Sequence, residues 1–87
     1  MQYVYVLVSK KDGDFYTGCT HDLKERLRLH NAGKVSSTKQ RRPFLLVYYE
    51  GYFHPKDAFE REKYLKTQWG KTHLRKVLRH TLHSQKL

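Results

Sequence analysis

Arg26 and His30 are the first residues of this sequence whose types and spacing suggest chemistry. They stand four positions apart in a segment that predicts a helix, so they lie side by side on its surface. Two cationic or near-cationic groups in this arrangement repel each other unless an anion shares the space between them. The helical period places both at the rim of the face that buries Leu23 and Leu27. We therefore expect a negatively charged group beside Arg26 and His30.

Glu62 is the second candidate. It lies in a segment that predicts a helix over residues 54–70, which Gly70 closes. Ala58, Leu65 and Trp69 form an apolar stripe along this helix, and Glu62 falls inside the stripe. A carboxylate among apolar neighbours is costly unless it is paired, protonated or bound to a metal. A salt bridge to a nearby arginine and a metal ligand explain its position equally well.

Tyr5 and Tyr16 come from two apolar segments that are joined through Asp12 and Gly13, a strong β-hairpin signal. Antiparallel pairing of these segments would let the two phenols approach each other. Gly18 in the second segment leaves a gap where a backbone or a ligand can come close. Without further evidence, core packing is the commoner explanation of two tyrosines on neighbouring strands.

The polar segment at residues 34–43 is a loop that combines several hydroxyl groups with positive charge of a single sign. Such a composition suits phosphate oxygens, which accept hydrogen bonds from Lys, Arg, Ser and Thr alike. It would equally suit a solvated loop, but its place directly after the Arg26–His30 helix favours phosphate contact. The candidate nucleic-acid-binding residues are Lys34, Ser37, Thr38, Lys39, Arg41 and Arg42.

Three strands and three helices are predicted to position these side chains. The first helix has Asp22 as its N-cap, with Glu25 completing a capping box, and Gly33 lies just past its end. Residues 44–49 predict a third, buried strand. The last predicted element is a basic helix over about 72–83, with Thr72 as its N-cap.

Length and charge limit the class of protein. The 87 residues predict one domain over 1–87, with a motif core at about 3–70. The balance of 18 Lys and Arg against 8 Asp and Glu gives a net charge of +10, which favours polyanions, with nucleic acid before anionic membrane. Cys19 is the single cysteine, so an internal disulfide is excluded. The sequence lacks an apolar run of about 20 residues and a leader pattern, which predicts a cytoplasmic protein outside the membrane.

Taken in order, these segments resemble the GIY-YIG nuclease superfamily, and within it the small stand-alone bacterial proteins that consist of the nuclease domain. The matching segments are Tyr3-Val4-Tyr5, Tyr16-Thr17-Gly18, Arg26, residues 30–33, Arg41-Arg42-Pro43 and residues 62–66. The resemblance implies an α/β (α+β) fold in which a three-stranded antiparallel sheet is flanked by helices. It also implies metal-dependent hydrolysis of phosphodiester bonds.

Site roles follow from the resemblance position by position. Tyr5 and Tyr16 match the tyrosines of the first and second motifs, Arg26 the helix arginine, and His30 a histidine of some branches. Glu62 matches the single metal-binding glutamate, for Mg²⁺ or alternatively Mn²⁺. We expect one phenol, Tyr5 before Tyr16, to take a proton from water and pass it towards His30, which is expected to titrate near neutrality.

The sequence therefore predicts a metal-dependent endonuclease of low sequence specificity that acts on DNA rather than RNA, in repair, recombination or other DNA processing. Nucleic acid is the expected partner, and no small-molecule cofactor is expected. The alternative is a basic nucleic-acid-binding module that keeps the nuclease fold without turnover. Glu62 distinguishes the two, because a binder gains nothing from a carboxylate that faces a polyanion.

Overall fold

A three-stranded antiparallel sheet with helices on both faces forms the protein in the computed structural model, which describes residues 1–85. The strands are β1 (Gln2–Ser9), β2 (Phe15–Thr20) and β3 (Phe44–Tyr52), in the order β2-β1-β3. The helices are α1 (Leu23–Asn31), α2 (Pro55–Leu65), α3 (Gln68–Val77) and α4 (Arg79–Gln85), with a 3₁₀ turn at Lys39–Arg41. The predicted α+β architecture is confirmed.

The central strand β1 is buried on both faces of the sheet. Because successive side chains of a strand point to opposite faces, Val4 and Val6 join the core under α2 and α3. Tyr5 and Leu7 join the core under α1. The β-branched and aromatic composition of this segment suits a strand that is buried on both faces.

The hairpin between β1 and β2 sets the register of the two strands that carry Tyr5 and Tyr16. It turns at Gly13, whose φ of 73° lies in the left-handed region that glycine tolerates. In the resulting register Tyr5 lies opposite Gly18. The rings of Tyr5 and Tyr16 come within 6.4 Å, measured between their centroids. The predicted approach of the two phenols is confirmed.

Helix α1 begins after Asp22, whose Oδ1 accepts a hydrogen bond of 3.1 Å from the backbone N–H of Glu25. The predicted capping box is wrong in its second half. The backbone N–H of Asp22 already donates to the hydroxyl of Thr20, and the Glu25 carboxylate pairs with Arg28 instead, at 2.7 Å. Gly33 follows the helix with a φ of 75°, as its predicted position requires.

The C-terminal half differs from the prediction at Gly70. Helix α2 ends at Leu65, and Gly70 lies inside α3, whose N-cap Thr67 accepts a hydrogen bond of 3.1 Å from the Gly70 N–H. A Cβ on Gly70 would lie 2.2 Å from the carbonyl oxygen of Tyr64, so this glycine allows α3 to pack closely against α2 rather than ending a helix. Trp69 is 80% exposed and is not part of the apolar stripe.

The predicted basic helix over 72–83 is also wrong in its bounds, because α3 and α4 divide this region at Leu78. Leu74 and Leu78 are buried and form the apolar side of this region. Within residues 1–85, each helix is too short or too polar to cross a lipid bilayer.

Candidate active site

Tyr5 lies at the centre of the candidate site, because its phenol crosses the neighbouring strand at Gly18. A Cβ on Gly18 would lie 2.5 Å from the phenol oxygen, so only glycine leaves room for this ring. The sequence predicted a gap at Gly18 for a backbone or a ligand. The structure fills that gap with the side chain of Tyr5.

His30 connects this phenol to the loop that follows α1. Its Nε2 lies 2.9 Å from the Tyr5 oxygen, and its Nδ1 lies 2.8 Å from Oγ1 of Thr38. The Thr38 hydroxyl donates to the carbonyl of Val35 at 3.4 Å, so it accepts the hydrogen bond from Nδ1–H. This network assigns the ring proton to Nδ1, so the lone pair of Nε2 accepts a hydrogen bond from the Tyr5 phenol.

The imidazole of His30 is fully buried, which corrects two expectations. Its position seven residues after Leu23 turns it into the core rather than towards the rim of α1, and the rings of Tyr16 and Phe44 pack against it at 4.9 and 5.9 Å. Burial, and next the charge of Arg26, lower the pKa of His30 to about 4. The histidine is therefore neutral at neutral pH and does not titrate near it.

The phenol of Tyr5 is also held in its neutral form. Burial raises its pKa, and the hydrogen bond from Arg26, whose Nε lies 3.3 Å from the phenol oxygen, only partly opposes this effect. Tyr16 and the nearby Glu62 carboxylate raise the pKa further. A free tyrosine has a pKa near 10, so the phenolate of Tyr5 is scarce at neutral pH.

Arg26 lies on the flank of α1, half-buried, as the helical spacing predicted. Its hydrogen bond to the Tyr5 oxygen holds the guanidinium beside the phenol. Among the ion pairs within residues 1–85, none involves Arg26. Its charge therefore lies beside Tyr5 with its remaining N–H donors available for an anion.

Glu62 lies on α2 with a side chain that is 15% exposed. Its partner is Lys66 one turn later, at 2.9 Å between Oε2 and Nζ, rather than the arginine that the sequence suggested. The carboxylate also lies beside Cys19, where burial and then Glu62 raise the pKa of the thiol to about 12. Its charge reaches the Tyr5 phenol as well.

These donors are compatible with a divalent cation only if water and substrate supply most of its ligands. Within residues 1–85, no three His, Cys, Asp or Glu side chains cluster as a ready ligand set. Mg²⁺ commonly takes one or two carboxylates and completes its shell with water and substrate phosphate oxygens. Glu62, with a cation already beside it, fits such an ion bound together with substrate rather than a permanently held metal.

The six predicted nucleic-acid contacts divide into three groups. Lys34, Ser37, Lys39 and Arg42 are exposed. Thr38 is fully buried against His30, so its predicted contact with nucleic acid is wrong.

Arg41 forms the third group, because its charge is already paired within the protein. Its Nε lies 2.7 Å from Oδ2 of Asp12, and a second nitrogen donates to the carbonyl of Phe15 at 3.4 Å. These contacts fasten the loop at residues 34–43 to the β1–β2 turn. Arg41 therefore has a structural part in this conformation.

Two contacts of the candidate site were not predicted from the sequence, that of Lys66 with Glu62 and that of Thr38 with His30. Lys66 stands four residues after Glu62, and the i, i+4 rule for helical ion pairs could have found it. Thr38 gave no such signal, because its contact with His30 depends on how an irregular loop folds back over the core.

Comparison with known proteins adds the following similarities. Residues 1–76 match the model of the GIY-YIG catalytic domain. A UPF0213 protein from Staphylococcus haemolyticus is 46% identical over 66 residues, which cover 75% of this chain and 79% of that protein. A UPF0213 protein from Clostridium perfringens is 42% identical over 67 residues, covering 76% of this chain and 71% of that protein.

A solved structure is similar as well. It is the solution NMR structure of a UPF0213 protein from Bacillus halodurans, with a TM-score of 0.55 and 34% sequence identity. The match covers 88% of this chain and 85% of that one. The fold is thus shared with a bacterial protein whose name, like those of the two relatives above, specifies no activity.

Proposed function

We propose that this protein, which belongs to the GIY-YIG family, is a metal-dependent endonuclease that hydrolyses phosphodiester bonds in DNA. Membership of a nuclease family supports the reaction type. The observation that carries the proposal is the position of the Tyr5 hydroxyl, which is hydrogen-bonded to both His30 and Arg26 and lies within the field of Glu62. Together these groups can bind a phosphate, activate water and hold a cation.

Arg26 binds the scissile phosphate in this proposal. Its guanidinium already lies beside Tyr5 and can present two N–H groups to two phosphate oxygens. Such a fork would fix the phosphorus atom close to the Tyr5 oxygen and counter the charge that develops during attack.

Tyr5 acts as a proton relay rather than as a preformed phenolate. Its oxygen accepts a proton from the attacking water while its own proton moves to Nε2 of His30, 2.9 Å away. Burial and the Arg26 charge oppose protonation of His30 in the free protein. A phosphate bound to Arg26 would offset the second effect, so His30 becomes a better acceptor when substrate is present.

Glu62 is the protein ligand that we assign to the metal. A bound Mg²⁺ or Mn²⁺ would supply Lewis-acid stabilisation of charge on the phosphate and the leaving oxygen. Lys66 pairs with the same carboxylate, so its ammonium, on a side chain 53% exposed, must move aside when the cation binds.

The surface around the site suits a polyanion without base-specific recognition. Lys34, Lys39 and Arg42 are exposed on the loop after α1, and the chain carries a net charge of +10. Positive side chains on a loop position a phosphate backbone but do not distinguish bases. We therefore propose low sequence specificity and a role in repair, recombination or other processing of DNA.

The test is cleavage of supercoiled plasmid and of branched and single-stranded DNA in Mg²⁺ or Mn²⁺, with EDTA as the control. Wild type is compared with Glu62→Gln and Arg26→Ala. Metal-dependent cuts that both variants lose would support the proposal. Absence of cuts, with tight and salt-sensitive binding that Glu62→Gln leaves unchanged, would instead indicate a non-catalytic binding module.

A further inference from the structure

One side of α2 carries a line of exposed residues, of which the proposed reaction involves only Lys66, the partner of Glu62. Lys56, Phe59, Lys63 and Lys66, here called the α2 strip, recur at the spacing that places helix residues on a common side. At a rise of 1.5 Å per residue the strip is about 15 Å long. It is adjacent to Glu62, which lies three residues after Phe59 on the same helix.

Phe59 is the unusual member of the strip, because its large apolar side chain is 54% exposed. The ammonium of Lys63 lies 4.8 Å from the centre of its ring. The aromatic face and the positive charge are thus presented together beside the Glu62 carboxylate. This combination is typical of surfaces that stack an unpaired base and hold the adjoining phosphate.

We propose that the α2 strip binds a single-stranded segment of DNA and leads it to Glu62. Phe59 stacks on one unpaired base, while Lys63 and Lys56 contact phosphates on either side of it. A duplex keeps its bases stacked on one another, so this contact selects substrates with a single-stranded arm, flap or gap near the cut. The proposal rests on the proposed function, since Glu62 marks the position of cleavage.

Binding without metal tests the α2 strip separately from cleavage. The probes are a fluorescein-labelled 20-nucleotide dT strand and a 20-base-pair duplex, measured by fluorescence anisotropy in EDTA. Phe59→Ala is expected to weaken binding of the single strand about 5- to 150-fold, the range that loss of one base–aromatic stack gives. Its affinity for the duplex should change less than about two-fold, because the duplex is held through its phosphates.

Two controls keep the result specific. Phe59→Tyr retains an aromatic face and should bind the single strand within about two-fold of wild type. Phe53→Ala removes a side chain that is 96% exposed but precedes α2 and lies outside the strip, so it should change neither affinity. Circular dichroism establishes that each variant keeps the fold.

A direct signature of stacking comes from Phe59→Trp placed in a Trp69→Phe background. Its fluorescence should be quenched when the dT strand is added and much less when the duplex is added. Equal affinity of Phe59→Ala and wild type for the single strand, or equal losses for both probes, would overturn the inference. If the protein proves not to cleave DNA, these results still decide whether the α2 strip binds single-stranded DNA.

Discussion

The Tyr5 oxygen lies 2.9 Å from Nε2 of His30, and this hydrogen bond joins a central strand to a helix 25 residues later in the chain. Together with the contact between Nδ1 and Thr38, it leaves neither buried side chain with an unsatisfied polar atom. Neither group is ionised at neutral pH, because burial raises the pKa of the phenol and lowers that of the imidazole. The pair is therefore uncharged at neutral pH, and in the proposed mechanism it moves a proton only once substrate is bound.

Gly18→Ala tests the space that Tyr5 occupies. The new methyl group would lie 2.5 Å from the phenol oxygen, so the ring must move away from His30. We expect a loss of about 1–3 kcal/mol in the free energy of unfolding and a fall in cleavage rate of about 100-fold. Urea unfolding and single-turnover cleavage measure the two effects.

Gly51→Ala is the matched control for that substitution. Its methyl group would meet the sulfur of Met1 at 2.6 Å and Cε1 of Tyr3 at 3.3 Å. Met1 is a flexible and exposed side chain that can shift, and the Tyr3 ring need give way only slightly. Stability and cleavage should both stay close to wild type. A cleavage rate for Gly18→Ala equal to that of Gly51→Ala would show that the position of the phenol does not matter.

Thr38→Val tests the tautomer of His30. Valine preserves the shape of threonine but leaves Nδ1–H without its acceptor, so the proton would move to Nε2 and oppose donation by Tyr5. We expect cleavage to fall about 10- to 100-fold, as is usual when the hydrogen bond that orients a functional histidine is lost. NMR of ¹⁵N-labelled histidine reports the tautomer, and an Nε2–H form in the wild type would contradict the assignment.

Stability should fall on acidification through His30. The unfolded chain protonates this histidine with a pKa near 6.5, whereas the folded protein does so only near pH 4. Between these values the unfolded state binds the extra proton, so the free energy of unfolding decreases as pH falls, by about 3 kcal/mol at most. Urea unfolding at several pH values measures the decrease, which His30→Gln should abolish.

Glu50 affects the free energy of unfolding in a separate, more acidic pH range. Burial would raise its pKa, but hydrogen bonds from Arg61 and Tyr48 hold it at about 2, so its contribution is lost only below its ordinary value near 4.5. A decrease in stability between pH 6.5 and 4.5 that persists unchanged in His30→Gln would contradict the assignment of that window to His30.

Lys39 and Arg41 should differ in their effect on DNA binding, although they are two residues apart. Lys39 is exposed, whereas Asp12 already neutralises Arg41 at 2.7 Å. Lys39→Ala should reduce the slope of log affinity against log salt concentration for duplex DNA by about 0.9, and Arg41→Ala should leave it unchanged. Equal changes in the two variants would show that both residues contact phosphate.

Sequence reasoning located the hairpin and the α1 side chains because their signals are local. The dipeptide at Gly13 and the helical spacing of Arg26 each depend on neighbours within a few residues. Gly70 was misassigned because a glycine that ends a helix and one that permits close helix packing are alike in sequence. Thr38 and the burial of His30 depend on a loop that returns across the core, which local periodicity does not report.

Tyr5→Phe is the most direct test of the central claim, that the phenol passes a proton from water to His30. Single-turnover cleavage in Mg²⁺ is measured beside DNA affinity in EDTA, with Tyr16→Phe as the comparison. We expect Tyr5→Phe to lose about 100- to 10,000-fold in cleavage rate, the range for a general base, while its affinity stays within about two-fold of wild type. Cleavage by Tyr5→Phe at the wild-type rate, or a large loss confined to Tyr16→Phe, would contradict the account.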